Sequence, residues 1–166
     1  MLSMSCGRFS RGSTARALNK DRRPMLIESL ALIAAASFAG ACAYINIVEQ
    51  PARLDLAPGP LLAQWTRSYH RGTAMQLSSA IVAAALGVAS FVDTRGTLWL
   101  VGTAFLLTIA PYTLLGIMPT NRRLLAIAPA SDHAWVTTGV RRWGRLHAGR
   151  TLLGISATIA FLLASL

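Results

Sequence analysis

Four side chains near the C-terminal end of the chain have the types and spacing of a reactive site. Trp143, His147, Arg150 and Thr151 follow at i, i+4, i+7 and i+8, so they share one face of a helix. That face does not suit lipid, because it carries a proton carrier, a permanent cation and an indole donor. Water, another helix or a ligand must satisfy these groups.

Chemistry is assigned most readily to two residues of this face. Histidine is a candidate general base because its unperturbed pKa lies near neutrality, which makes His147 the first candidate. Arg150, one turn further along, would stabilise an enolate-type anion electrostatically, and a cation near membrane depth is a functional candidate by default. The structural alternatives are a histidine that bonds a neighbour and an arginine that reaches lipid phosphates.

A second group of candidates lies earlier in the chain. Glu49 and Arg53, at i and i+4, predict an ion pair, and Glu49 is also a candidate to orient His147 or to hold an arginine. His70 is a weaker candidate, since a place on a helix surface accounts for it. His70, His147 and Glu49 would make a set of two histidines and one carboxylate, but they form no local motif, so the sequence predicts no metal site.

Aromatic side chains accompany the polar ones. They either belong to the aromatic belts at membrane interfaces or wall a pocket for an aromatic ligand, and the sequence leaves both open for Trp65, Tyr69, Tyr112 and Trp143. The sequence contains no glycine-rich phosphate loop, no CxxCH haem motif and no GxSxG motif. No cofactor is therefore predicted.

Composition indicates a membrane protein. Of the 166 residues, 54% are hydrophobic and 13% are charged, whereas a soluble domain usually carries about 25% charged residues. The formal net charge of +10 raises the question of nucleic-acid binding. The arginines flank apolar runs instead of forming one stripe, and no nucleic-acid-binding module is recognisable. The expected partner is therefore the lipid bilayer, and nucleic acid is not expected.

Four apolar runs predict four membrane-spanning helices. They cover residues 26–48, 72–92, 97–118 and 151–166. The helical pattern of the second run begins near residue 61, so that helix should extend beyond one membrane face. The predicted fold is an all-α, integral membrane four-helix up-down bundle with helices extending beyond one membrane face.

The span count places the first and third connections on the same side of the membrane. Most candidate residues lie in or beside these connections, so the polar groups should collect at one end of the bundle. Ser131 or Asp132 is the expected N-cap of the last helix. Residues 1–24 are expected to form a basic, disordered tail before a four-span domain at 25–166, and Met25 is a second candidate start of translation.

Four motifs, taken together, resemble those of a known family. They are VEQPARL at 48–54, W…YHRG…MQ at 65–76, PYT…PTNRRL at 111–124 and WGRLHAGRT at 143–151. In this order they resemble the anthrone-oxygenase-like family of small four-span membrane proteins. The resemblance covers roughly residues 25–166, and it depends on the set, since each motif is weak by itself.

The resemblance implies a monooxygenase that converts an anthrone-like aromatic substrate to a quinone with molecular oxygen, without metal or flavin. It implies that His147 removes the acidic methylene proton and that Arg150, Asn121 or Trp143 holds the resulting anion. The candidate catalytic residues are His147, Arg150, Glu49 and Asn121. The candidate substrate-binding residues are Trp143, Arg53, Trp65, Tyr69, His70, Tyr112 and Thr113.

Two other functions stay open on the sequence. A non-catalytic membrane scaffold or partner-binding subunit predicts that Glu49, Asn121, His147 and Arg150 pair with one another and leave no room for a ligand. The oxygenase predicts an open pocket walled by Trp and Tyr, and a metal-dependent oxidase predicts two histidine nitrogens about 2.0–2.2 Å from one metal. The Ala-rich and Arg-rich composition suits a bacterium of high genomic G+C, which predicts a location in a bacterial inner membrane.

Overall fold

The computed structural model describes residues 11–128 and 134–166, with side chains from residue 25 onward. These residues form four helical rods. The first rod consists of α1 (Arg11–Tyr44), a first π-helical turn (Ile45–Glu49) and α2 (Gln50–Leu54), and the second rod is α3 (Pro58–Thr94). The third rod consists of α4 (Thr97–Tyr112), a second π-helical turn (Thr113–Ile117) and α5 (Met118–Leu125), and the fourth rod is α6 (Trp135–Ala164).

Each rod is long and apolar enough to cross a membrane. The four candidate spans are Met25–Leu54, Pro58–Thr94, Thr97–Leu125 and Trp135–Ala164. No strand occurs in the described residues. The predicted all-α, four-helix membrane fold is confirmed. With 37 residues, α3 is about 55 Å long, against about 30 Å for a hydrocarbon core, so it extends beyond the core.

The rods pack as a square. α1 contacts α3 and α6, and α4 contacts the same two helices from the other side. The connections at residues 55–57 and 95–96 are too short for a crossover, so successive rods run antiparallel. This is the predicted up-down arrangement.

Two apolar clusters divide the bundle along its length. The inner cluster consists of Ala31, Ala35, Phe38, Cys42, Ala80, Ala83, Trp99, Leu106, Ile109, Ala157 and Phe161. The outer cluster consists of Leu61, Leu62, Trp65, Ile117, Leu124, Val136, Val140 and Trp143. On α6, His147 and Arg150 lie between the two clusters. The polar groups therefore form a layer inside the bundle, covered by the outer cluster, and not only an exposed end.

Each π-helical turn directly precedes an X-Pro peptide bond. The Gln50 N–H donates to the Ile45 carbonyl just before Pro51, and the Met118 N–H donates to the Thr113 carbonyl just before Pro119. A proline ring clashes with the carbonyl four residues earlier and supplies no N–H, so a wider turn relieves the conflict. The first of these turns carries Asn46 and Glu49 into the polar layer.

Three boundaries complete the comparison with the sequence. α3 begins at Pro58, three residues before residue 61, near which the sequence pattern placed the start of that helix. The described part of α1 begins at Arg11, within the segment predicted to be a basic tail, and the division of the chain at residue 25 stays a prediction. The expected N-cap at Ser131 or Asp132 lies outside the described residues.

Candidate functional site

Asn46 joins the first rod to α6 through three hydrogen bonds. Its amide nitrogen donates to the backbone carbonyl of Gly144 at 2.8 Å. Its amide oxygen lies 2.9 Å from Nδ1 of His147 and accepts a hydrogen bond from the Thr151 hydroxyl at 2.7 Å. His147 is 1% exposed, so this contact determines the setting of its ring.

These contacts define which nitrogen of His147 carries the proton. The Gly144 carbonyl only accepts hydrogen bonds, so the Asn46 nitrogen faces it and the Asn46 oxygen faces His147. An amide oxygen also only accepts, so Nδ1 carries the hydrogen and donates. In the neutral imidazole the proton acceptor is then Nε2, which has no hydrogen-bond partner among the described residues. The site thus contains a base of defined tautomer.

Arg150 is a buried cation, and no carboxylate of the described residues forms an ion pair with it. It is 9% exposed, and its guanidinium carbon lies 5.8 Å from the centroid of the Phe38 ring. The ion pair found in the described residues joins Arg53 to Glu49 and leaves Arg150 out. Its Nε atom is buried without a hydrogen-bond partner in that part of the chain. Because an unpaired buried charge is costly, this position favours an anionic ligand.

Glu49 holds an arginine and makes no hydrogen bond to His147. It forms the predicted ion pair with Arg53, which is 3% exposed. The same carboxylate oxygen accepts hydrogen bonds from the Ser68 hydroxyl at 2.7 Å and from Gln64 Nε2 at 3.1 Å. These contacts tie the first rod to α3 and fix the Arg53 guanidinium 5.6 Å from the centroid of the Trp143 ring. Glu49 was a candidate either to orient His147 or to hold an arginine, and the geometry agrees with the second of these roles.

Aromatic rings cover one side of the polar layer. Trp65 stacks on Tyr69 at 5.1 Å between ring centroids and meets Trp143 edge-on at 5.8 Å. Trp143 in turn lies 4.8 Å from the His147 ring. Asn121 Nδ2 donates to the Tyr69 hydroxyl at 3.3 Å. These rings shield the imidazole from the outer end of the bundle. Their arrangement is compatible both with the wall of a ligand pocket and with a packed core.

A small cavity opens between these groups. Its volume is about 20 Å³, enough for about one water-sized group. It is lined by Ile45, Glu49, Arg53, Ser68, Tyr69, Gly72, Thr73, Gln76, Ile117, Asn121, Trp143, His147 and Arg150.

Polar atoms around the cavity lack partners. Among the described residues, Gln76 Nε2, Trp143 Nε1, Arg150 Nε and Asn121 Oδ1 are buried without a hydrogen bond. Buried polar groups are nearly always paired, so such a group of orphans calls for a ligand or water. Three of the four are donors, which favours an oxygen atom carrying negative charge.

Four of the predicted site residues lie off this cavity. Trp65 is fully buried behind Tyr69 and Trp143, and His70 is exposed beside the Tyr69 ring. The Tyr112 hydroxyl donates to the Leu146 carbonyl at 2.7 Å. Thr113 lines a second, larger cavity and not this one.

The described residues bring together no cluster of potential metal ligands. Across residues 25–128 and 134–166, no three side chains of His, Cys, Asp or Glu group closely enough to hold a metal ion. His70 does not share the cavity of His147 and Glu49.

Asn46 is the main site residue that sequence reasoning missed. Its partner His147 is 101 positions away in the chain, so no local spacing connects them. A signal was present, since Asn46 is a polar residue within an apolar run, and such residues in membrane spans are functional candidates. Gln76 likewise belongs to the second sequence motif, which gave no role for it.

Comparisons with known proteins agree with one another. A family model described as "Anthrone oxygenase" matches residues 65–160. A protein named "Anthrone oxygenase" from Claviceps purpurea (strain 20.1) is 30% identical over 82% of this chain and 86% of its own length. "Anthrone oxygenase dmxR16" from Cryptosporiopsis sp. (strain 8999) is 30% identical over 80% of this chain and 84% of its own. No solved structure matches.

Proposed function

This chain belongs to the anthrone oxygenase family, and from that premise we propose that it converts an anthrone-like aromatic ketone to the quinone with molecular oxygen. The family membership supports an oxygenase-like function. The substrate class, the base and the order of steps below are inferred from the geometry of the polar layer and from general chemistry.

The proposed reaction begins with proton removal. Nε2 of His147 takes one proton from the methylene carbon between the rings, which leaves a delocalised, phenolate-like anion. The anion passes one electron to dioxygen, and the resulting radical and superoxide combine to form a C–O bond. The imidazolium returns its proton to the peroxide. Loss of the second methylene hydrogen as a proton, with cleavage of the O–O bond, then gives the ketone and one water.

The residues divide this work. Asn46 keeps the hydrogen of His147 on Nδ1, so Nε2 is free to accept the substrate proton. Arg150 supplies positive charge to the anion, supported by the unpaired donors of Gln76 and Trp143. The substrate provides the electrons, so the residues need only manage protons and charge.

One observation carries the proposal. An imidazole of fixed tautomer and a buried guanidinium line the same cavity, one helical turn apart on α6, and within the described ranges no carboxylate forms an ion pair with that guanidinium. A base and an anion-stabilising cation are the two groups that this reaction requires from the protein.

Turnover by purified protein in detergent tests the proposal. Quinone absorbance and oxygen consumption are followed in the presence of a chelator. We expect His147→Ala to lower kcat about 10²–10⁴-fold and Arg150→Gln to lower it about 10²-fold. Arg145→Gln, at an exposed position of the same helix, is the matched control and should turn over like the parent. Equal rates in the parent and His147→Ala would overturn the assignment of the base, and loss of the parent's activity to the chelator would overturn independence from metal.

A non-catalytic scaffold is the second candidate, because several polar residues do pair with one another. Glu49 holds Arg53, Asn121 holds Tyr69, and the site cavity is small. This candidate gains support if the parent neither oxidises nor binds any hydroxyanthrone. Arg150 favours the oxygenase, because in the part of the chain that the structure describes it has no carboxylate partner.

A further inference from the structure

A second cavity adjoins the site between α3 and α4. Its volume is about 330 Å³, within the range of cavities that bind small molecules. Its floor includes Ala80, Leu106 and Ile109, which are buried, and its rim includes Leu77 and Leu107, which are more than half exposed. Because the rim belongs to two spanning helices, this groove opens sideways toward the hydrocarbon of the bilayer.

The groove has one polar end. Along the antiparallel helices, Thr73 of α3 and Thr113 after α4 lie at the end near the site, and Ala84 lies at the other. Arg150 also lines the groove, and both Arg150 and Thr73 line the site cavity as well. The Thr113 hydroxyl is buried without a partner in the described chain. The groove and the site cavity therefore meet at a cation.

We propose that this groove receives the planar ring system of an acidic polycyclic phenol or enolisable ketone directly from the bilayer, with its anionic oxygen at Arg150. The inference rests on the proposed function for the identity of the substrate. The site cavity of about 20 Å³ cannot hold three fused rings, whereas the groove of about 330 Å³ can. The reacting edge would reach the shared wall while the apolar body stays in the groove.

Charge and stiffness both favour this occupant over a lipid acyl chain. An acyl chain brings no anion to Arg150, whose charge no carboxylate in the described residues balances. A flexible chain also loses more conformational freedom on binding than fused rings do. A substrate dissolved in the hydrocarbon reaches the rim without first crossing water.

Binding of a hydroxyanthraquinone tests the groove separately from the reaction. This planar phenol is not oxidised by dioxygen, so its affinity for the protein in lipid nanodiscs, measured by quenching of tryptophan fluorescence, does not depend on turnover. Ala84→Phe fills the groove from α3, and Ala110→Phe fills it from an exposed position on α4, which should not disturb folding. Ala85→Phe, at the next, exposed position of α3 outside the groove, is the matched control.

We expect both filling variants to raise the Kd of the probe about tenfold or more and to raise KM for a hydroxyanthrone in parallel. Ala85→Phe should match the parent. An unchanged Kd of the probe in Ala110→Phe would overturn the groove as the substrate site. The same conclusion would follow if native mass spectra showed a bound phospholipid that the probe does not displace.

The outcomes separate the two proposals. If the parent turns over and the groove-filling variants have the same KM, the groove is not the substrate site, and the proposed reaction is unaffected. If the groove-filling variants bind the probe more weakly but the parent oxidises no hydroxyanthrone, the groove is supported as a binding site and the proposed reaction is overturned.

Discussion

The hydrogen bond from His147 to Asn46 orients the imidazole ring. Asn46 holds Nδ1 at 2.9 Å and is itself anchored to the Gly144 carbonyl. The anchor prevents the amide from turning over, so the imidazole has one tautomer and one ring plane. A base oriented by a third group is the arrangement found where nucleophiles or substrates are activated by proton removal.

Substitution of Asn46 should separate orientation from packing. Asn46→Leu keeps the number and branching of the side-chain heavy atoms but removes the acceptor, so we expect kcat to fall about tenfold or more while KM changes little. Asn46→Asp keeps the acceptor and should retain more activity than the leucine variant. Thr151→Val removes only the second donor to Asn46, and its effect should be about fivefold, which corresponds to about 1 kcal/mol for one neutral hydrogen bond. Steady-state kinetics of the three variants give the comparison.

A leucine variant with the parent's kcat would show that Asn46 only packs the helices. The same conclusion would follow if the aspartate variant lost as much activity as the leucine variant.

Spacing along one helix predicted part of this site. The shared face of Trp143, His147, Arg150 and Thr151 was predictable, because a period of 3.6 residues depends only on the local sequence. The structure adds that this face is buried. The partner of His147 lies on another rod, and its identity depends on how the rods pack. The ion pair of Glu49 with Arg53 was predictable for the same local reason as the shared face.

At the scale of elements, prolines and small residues set how the rods approach one another. Proline disfavours a regular helix at Pro51, Pro111 and Pro119. The π-helical turns before Pro51 and Pro119 could nevertheless not be placed from sequence, because a kink and a wider turn relieve the same clash. The turn at Ile45–Glu49 matters for the site, since it rotates Asn46 and Glu49 relative to the helix before them.

Two glycines give a matched test of rod packing. A Cβ at Gly154 of α6 would lie 2.8 Å from the Phe38 ring and 3.3 Å from the Ala39 backbone, whereas a Cβ at Gly40 of α1 meets nothing within 4 Å. We expect Gly154→Ala to lower stability by about 1–3 kcal/mol through overpacking. Gly40→Ala should leave stability unchanged or raise it by about 0.5–1 kcal/mol. Thermal unfolding in detergent, followed by tryptophan fluorescence, gives the midpoints.

An equal midpoint for both variants would contradict the close approach of α1 and α6. That approach brings Asn46 to His147, so such a result would also weaken the geometry of the site.

At the scale of the whole molecule, hydropathy and span counting were sufficient for the fold. Four long apolar helices in up-down order were predicted and confirmed, since the bilayer admits few alternatives. The polar layer beneath an outer apolar cluster was not predicted, because the outer cluster draws on residues from connections that the sequence left irregular. Both named relatives are fungal, and a bacterial inner membrane location stays a prediction.

Topology can be measured with two matched substitutions. Asp55 and Asp93 are exposed and lie in or beside connections at opposite ends of the bundle. In a background without Cys6 and Cys42, Asp55→Cys and Asp93→Cys should react with a membrane-impermeant maleimide from opposite sides of sealed vesicles. Labelling of both from the same side would contradict the four-span arrangement.

The most direct test of the central claim is anaerobic mixing of the protein with a hydroxyanthrone. Without oxygen the reaction should stop after proton removal, so the absorbance of the substrate anion should appear with the parent protein in an amount limited by its concentration. His147→Ala should produce none, and admission of oxygen should convert the parent's anion to quinone with one dioxygen consumed per product. An anion that forms equally well in His147→Ala, or quinone that forms without a preceding anion, would contradict base catalysis by His147.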